Sequence, residues 1–227
     1  MSLEQQQLEA AIAALEAQRA SLGNAVVDAA LAPMRAKLGD LMAASDTNEP
    51  VQTLKQVSIL FLDAVGSTTL GQKLDPEEIS AVMDDALARG TTIVHAHQGR
   101  VLNYAGDNIL AAFGTEGARE DDSERAVRCG LALLQLGREL GAEVKAAHQH
   151  EGFDVRVGIH TGGVLLGGGV DADGTIRGNA VNIAARMEQT APAGSLRISR
   201  DTYRHVRGLF AVQAQPPIPI KGLDEPF

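Results

Sequence analysis

Val57 to Leu70 reads V-S-I-L-F-L-D-A-V-G-S-T-T-L. The apolar run Val57 to Leu62 predicts a buried strand, and that strand delivers a carboxylate, Asp63, at its carboxyl end. Gly66 and the hydroxyl residues Ser67, Thr68 and Thr69 predict a tight turn into a helix. The unpaired N–H groups and positive dipole potential of a helix N-terminus suit phosphate. An acid beside an anion cradle is a place to hold a metal–phosphate complex. Taken alone, the stretch is more simply read as a strand followed by an N-capping Ser or Thr. A second acid elsewhere in the chain decides between the two readings.

The 227 residues are 44% apolar and 22% charged, which fits one globular domain with an extension. Acidic residues number 29 against 20 basic, a net charge of -9. That balance argues against a nucleic-acid or anionic-membrane partner, but not against a nucleotide, which needs only a local basic cluster. The lone cysteine, Cys129, excludes an internal disulfide and a Cys-rich zinc site. No apolar run reaches membrane-spanning length and no signal-peptide pattern opens the chain, so the expected location is cytoplasmic. Trp is absent and aromatics are 3%, which speaks against a base-stacking platform.

Residues 1–44 differ in kind from the rest. Leu8, Ile12, Leu15, Arg19, Leu22 and Val26 recur at alternating spacings of four and three, an a/d seam with one polar position, Arg19. Gly23-Asn24 is placed to end this helix, Leu31, Met34, Leu38 and Leu41 resume the spacing, and Pro33 suggests a kink or a helix start. The expectation is a helical hairpin or short coiled coil, then a polar linker over residues 45–56 and a second domain over 57–227. In that domain Asp75 caps a helix opening at Pro76-Glu77-Glu78. Arg100 to Tyr104 and Ile109 to Phe113 form a hairpin about Gly106-Asp107-Asn108. Glu120-Asp121-Asp122 opens a long helix, near whose end His148 and His150 read as solvated. Phe153 to Thr161 alternates as a half-buried strand, and Gly162-Gly163 turns it into Val164 to Leu166. Residues 167–174 predict a mobile loop. A helix Asn179 to Gln189, a short strand Ser195 to Ser199 and a short helix Asp201 to Val206 follow.

Strand, helix, strand, strand, helix, strand is the order of a ferredoxin-like split βαβ arrangement, an α+β fold. It sets the first strand beside the hairpin, so Asp63 and Asp107 approach each other. Two carboxylates so placed repel unless a cation sits between them, and magnesium prefers a sparse carboxylate site completed by substrate phosphates. With these residues in view, the chain resembles the class III adenylate/guanylate cyclase catalytic domain. The resemblance runs from Val57 to Lys221 and rests on Phe61 to Thr68 (F-L-D-A-V-G-S-T), Tyr104 to Phe113 (Y-A-G-D-N-I-L-A-A-F), Val157 to Gly162 (V-G-I-H-T-G), Gly178 to Met187 (G-N-A-V-N-I-A-A-R-M) and Ile220-Lys221-Gly222.

The resemblance implies two-metal chemistry, with Asp63 and Asp107 binding two Mg²⁺ or Mn²⁺ ions. The backbone of Ala64, Val65, Gly66, Ser67 and Thr68 would cradle phosphates. Asn182 would orient the ribose, Arg186 would stabilise charge on the α-phosphate, and Lys221 would hold the terminal phosphates. It also implies a homodimer, one subunit supplying the acids and the other Asn182, Arg186 and Lys221. The chain departs from the pattern where the base is read: Asn103 stands where many adenylate-forming members have lysine, and Thr175 where aspartate is common. Asparagine has both donor and acceptor, so it can read adenine or guanine; the absence of a glutamate nearby favours adenine. The expected activity is ATP to 3′,5′-cyclic AMP and pyrophosphate. The alternatives are a guanylate-forming enzyme, a low-activity nucleotide-binding regulatory module, or a polymerase-type palm, which the acidic composition disfavours. The approach to a last strand at Ile220 to Phe227 suggests a piece of a longer protein with further regulatory domains.

Overall fold

The chain forms two compact units, divided between Val51 and Gln52, in a computed structural model that describes residues 3–46, 53–166 and 176–217. The first unit is helical. Leu3–Ala17 (α1) and Asn24–Asp46 (α3) pack together, joined through the single turn Arg19–Leu22 (α2). The first break falls at Gln18, ahead of the expected Gly23, and Arg19 closes the hairpin: its Nε donates to Glu16 and its Nη1 to Asp28, each at 2.7 Å. Arg35 adds a second cross-link to Glu16 at 2.5 Å. The break resets the helical phase, so Val27 and Leu31 are buried while Val26, expected in the seam, is exposed. Pro33 lies inside α3 and starts nothing, because losing one N–H removes a single ladder bond and the flanking turns carry on.

In the second unit, Thr53–Val65 (β1) is the centre of the sheet and extends beyond its apolar run at both ends. It pairs antiparallel with Asn108–Phe113 (β3) on one side and Asp154–Leu166 (β4) on the other. Arg100–Ala105 (β2) lies outside β3 and Ile176–Arg177 (β5) outside β4, giving the order β2-β3-β1-β4-β5. Leu196–Ile198 (β6) runs parallel to β4. Between strands the chain forms the turn Ser67–Leu70 (α4) and the helices Pro76–Ala96 (α5), Asp122–His148 (α6) and Asn179–Gln189 (α7), and Arg200–Val206 (α8) follows β6. This is the expected α+β split βαβ arrangement. Asp75 caps α5 through a capping box: its carboxylate accepts from the N–H groups of Glu77 and Glu78, and Glu78 accepts from the Asp75 N–H.

β1 is covered on both faces, which is why it reads as a continuous apolar run. Leu60, Leu62 and Ala64 pack into the larger core with Phe113, Leu133 and Val157. Val57 and Ile59 pack on the other face with Ala180 and Ala184 of α7. Three expectations are overturned. β4 runs unbroken through Gly162-Gly163 to Leu166, because the glycine makes room for a helix: a Cβ at Gly162 would lie 3.1 Å from that of Ala180. β4 is not half-buried along its length, since His160 and Thr161 are both buried. His150 is likewise buried, with neither ring nitrogen hydrogen-bonded among the described residues.

His160 sits in a chain of buried hydroxyls. Its Nδ1 lies 2.8 Å from Ser199 Oγ, and Ser199 connects through Thr202 and Thr161 to Ser58 and Ser123. Burial pushes the imidazole pKa down to about 4, against a smaller upward pull from Asp201. The folded state therefore holds the neutral form. Its stabilising contribution is complete above the ordinary histidine pKa and is lost as the pH falls from about 6.5 towards 4. The loss at the acid end is roughly 3 kcal/mol. Thermal melts across this window are expected to show a steeper decline for the native chain than for His160→Gln; parallel declines would count against the assignment.

Candidate active site

The sheet register builds the site. Asp63, near the end of β1, stands opposite Asn108 of β3 and Arg156 of β4. Asp107 precedes Asn108 in the turn whose Gly106 adopts φ +65°, so the turn sets a second carboxylate at the end of β1. Asp63 feels the charge of Asp107. Burial pushes the Asp63 carboxyl above its ordinary value, Arg156 opposes that, and the Asp107 charge adds to it.

The turn after β1 differs from a simple capped helix. Gly66, at φ +87°, is the N-cap of α4 and supplies no side chain. Ser67 instead donates its hydroxyl to Asp107 Oδ2 at 2.5 Å, with the Ala64 carbonyl 3.2 Å away. A Cβ at Gly66 would lie 2.5 Å from the carbonyl oxygen of Gly152, so the loop after α6 holds this turn from behind. Ala64 and Val65 end β1, paired with Val155 and Asp154, and Gly66, Ser67 and Thr68 turn in a tight arc beside both acids. Their first N–H groups lack intrahelical partners, as at any helix start.

The sequence pattern assigned Arg156 no role, yet it hydrogen-bonds Asp63. Its Nε and Nη2 both donate to Asp63 Oδ2, at 2.9 and 2.5 Å. Its Nε also lies 2.6 Å from Glu188 Oε1, at the end of α7. Burial pushes the Glu188 carboxyl up to about 7, the Asp63 charge adding to the rise and Arg156 opposing it. The alternation of β4 put Arg156 on one face, but only the pairing of β4 with β1 shows that this is the face of Asp63.

The remaining predicted residues divide. Asn182 and Arg186 lie one turn apart on α7; Asn182 is exposed, and Arg186 Nη1 contacts Gln189 at 3.4 Å. Among the described residues neither is hydrogen-bonded to Asp63 or Asp107, and Glu188 of the same helix lies against Arg156. Asn103 of β2 stands opposite Leu110, and Leu110 opposite Phe61, so Asn103 shares the sheet face of Asp63. Its row lies two residues down β1, about 7 Å along the strand. Thr175, Lys221 and the loop 167–174 lie outside the described residues.

Residues 49–226 match the family profile described as the adenylate and guanylate cyclase catalytic domain. The chain belongs to that family. Adenylate cyclase 1 of Rhizobium meliloti is 30% identical over 138 residues, 59% of this chain and 20% of that protein. The receptor-type guanylate cyclase gcy-7 of Caenorhabditis elegans is 27% identical over 191 residues, 82% of this chain and 17% of that protein. The chain therefore spans a fifth or less of either relative. Among solved structures, the adenylyl cyclase CyaB from P. aeruginosa superposes with a TM-score of 0.73 at 27% identity, covering 77% of this chain and 92% of that one. The guanylyl cyclase Cya2 gives 0.71 at 26%, covering 77% and 90%. The second unit is thus a class III nucleotide cyclase domain, and cyclases of both base types resemble it.

Class III cyclase domains generally use divalent metals, and the acid pair fits that need. The Asp107 charge opposes ionisation of Asp63, which is half-buried and already compensated by a guanidinium. Among the described residues no helix is long and apolar enough to cross a membrane.

Proposed function

We propose that this cyclase domain converts ATP to 3′,5′-cyclic AMP and pyrophosphate at a site completed by a second copy of the chain. The observation that supports this reading is the separation of the two residue sets. Asp63, Asp107 and Ser67 cluster at the end of β1, whereas Asn182 and Arg186 of α7 make no hydrogen bond to that cluster among the described residues. In a homodimer each copy offers the half that the other lacks, giving two composite sites.

Asp63 and Asp107 would hold Mg²⁺ or Mn²⁺, which when bound lowers the pKa of the ribose 3′-hydroxyl and clamps the triphosphate. The arc Ala64 to Thr68 would receive phosphate oxygens on its backbone N–H groups. From the other copy, Asn182 would orient the ribose so that the 3′-oxygen lies in line with the α-phosphorus. Arg186 would offset the negative charge that grows on the α-phosphate as pyrophosphate leaves. Lys221 would bind the terminal phosphates. Asn103 and Thr175 would read the base, and the absence of a glutamate near them favours adenine.

A guanylate-forming reading is kept because the chain superposes on adenylyl and guanylyl cyclases with nearly equal scores. Incubating the purified protein with ATP or GTP and either Mg²⁺ or Mn²⁺, then separating the products by chromatography, tests both readings. Cyclic AMP is expected to exceed cyclic GMP. The reverse order would reassign the base, and no cyclic nucleotide from protein shown to be dimeric would favour a nucleotide-binding regulatory module.

A further inference from the structure

Two carboxylates compete for one guanidinium at the end of β1. Arg156 aims both Nε and Nη2 at a single oxygen of Asp63. Glu188 Oε1 lies 2.6 Å from the same Nε, yet receives no hydrogen bond, because that nitrogen has one hydrogen and it points at Asp63. The Glu188 side chain is only 6% exposed, so a poised, unsatisfied acceptor stands within reach of a donor engaged elsewhere. Glu188 sits against both Asp63 and Arg156, and a guanidinium hydrogen turned towards its Oε1 would satisfy that oxygen.

We propose that Arg156 is a built-in cation that occupies Asp63 until a divalent ion binds there, and that Glu188 is the positioning residue that takes the guanidinium when it is displaced. This rests on the reading of Asp63 as a metal ligand and goes beyond it. The fixed and moving parts can be told apart. Gly158 of β4 lets α7 approach so closely that a Cβ there would lie 1.9 Å from the Glu188 backbone nitrogen. Glu188 is therefore anchored by backbone contact. Arg156 is 30% exposed at its side chain and has a long flexible stem, so it is the part that moves. In one state Arg156 neutralises Asp63 and Glu188 stays unsatisfied. In the other the ion neutralises Asp63 and Arg156 turns its Nε–H to Glu188. Ion binding and guanidinium transfer are then linked, and each favours the other.

Mn²⁺ binding to the nucleotide-free protein, read from the paramagnetic resonance signal of the free ion, tests this without reference to turnover. Asp63→Asn is expected to lose the bound ion; unchanged binding would remove the metal reading and this proposal with it. Arg156→Gln removes the competitor and is expected to tighten binding about tenfold, within the usual range of coupling between sites. Glu188→Gln removes the carboxylate charge that would hold the displaced guanidinium and is expected to weaken binding by a similar factor. In the Arg156→Gln background, Glu188→Gln is expected to change nothing, because Glu188 acts through Arg156. If Asp63→Asn abolishes binding but Arg156→Gln leaves the affinity unchanged, the guanidinium does not compete and the proposal falls. It also falls if Glu188→Gln weakens binding equally in both backgrounds, which would mark a through-space charge. Should Arg156→Gln fail to fold, Arg156→Lys, which lacks the Nε donor, is expected to tighten binding about threefold, and no change there overturns the proposal equally.

Discussion

Asp63→Ala and Arg186→Ala are each expected to lower cyclic nucleotide formation by roughly a thousandfold, the scale on which charge-stabilising groups at reacting centres act. Mixing the two inactive proteins is expected to restore activity. A site drawing its acids from one copy and its arginine from the other is doubly damaged at one position of a mixed dimer and intact at the other. Random exchange makes about half the dimers mixed, so the recovered activity should approach about a quarter of the native value. Two features motivate the experiment: the clustering of Asp63 with Asp107, and the contact of Arg186 with Gln189 rather than with either acid. No recovery, despite subunit exchange demonstrated with differently tagged copies, would refute the shared site.

The largest effect on stability is expected from Gly158→Ala. A Cβ there would meet Glu188 N at 1.9 Å and Glu188 Cα at 2.5 Å, and both are backbone atoms of α7 that cannot rotate aside. Overpacking a core ordinarily costs about 1–3 kcal/mol because side chains absorb part of it. Here the helix itself must shift, so about 4 kcal/mol is expected, or a melting temperature about 10 °C lower. Activity should fall further than stability, because α7 carries Asn182, Arg186 and Glu188 together. A native-like melting temperature would mean that α7 does not rest on β4 at this point.

Much of this was legible from residue order alone. Val57 to Leu62 announces a buried strand by its apolar run, and Asp75 with Glu78 announces a helix start, because capping is decided within four residues. The pairing of Asp63 with Asp107 followed from the order of elements, since a split βαβ unit sets the first strand beside the hairpin. Glycines were misread where their neighbour was distant in sequence. Gly162-Gly163 looked like a turn and is a straight strand under α7, and His150 looked solvated and is buried.

The chemical identity of the site therefore belongs to the chain's own order: which acids, which turn and which helix residues are present. Local hydrogen bonding and hydrophobic patterning act over a few residues and leave a readable trace there. The pairing of Arg156 with Asp63, and the unsatisfied Glu188 beside it, left no such trace. They depend on the register between β1 and β4, which brings together Asp63 and Arg156, 93 positions apart, and on how closely α7 settles over Gly158. Register and approach distance are set by how whole elements pack, so they could be read only once the sheet and its covering helix were in view.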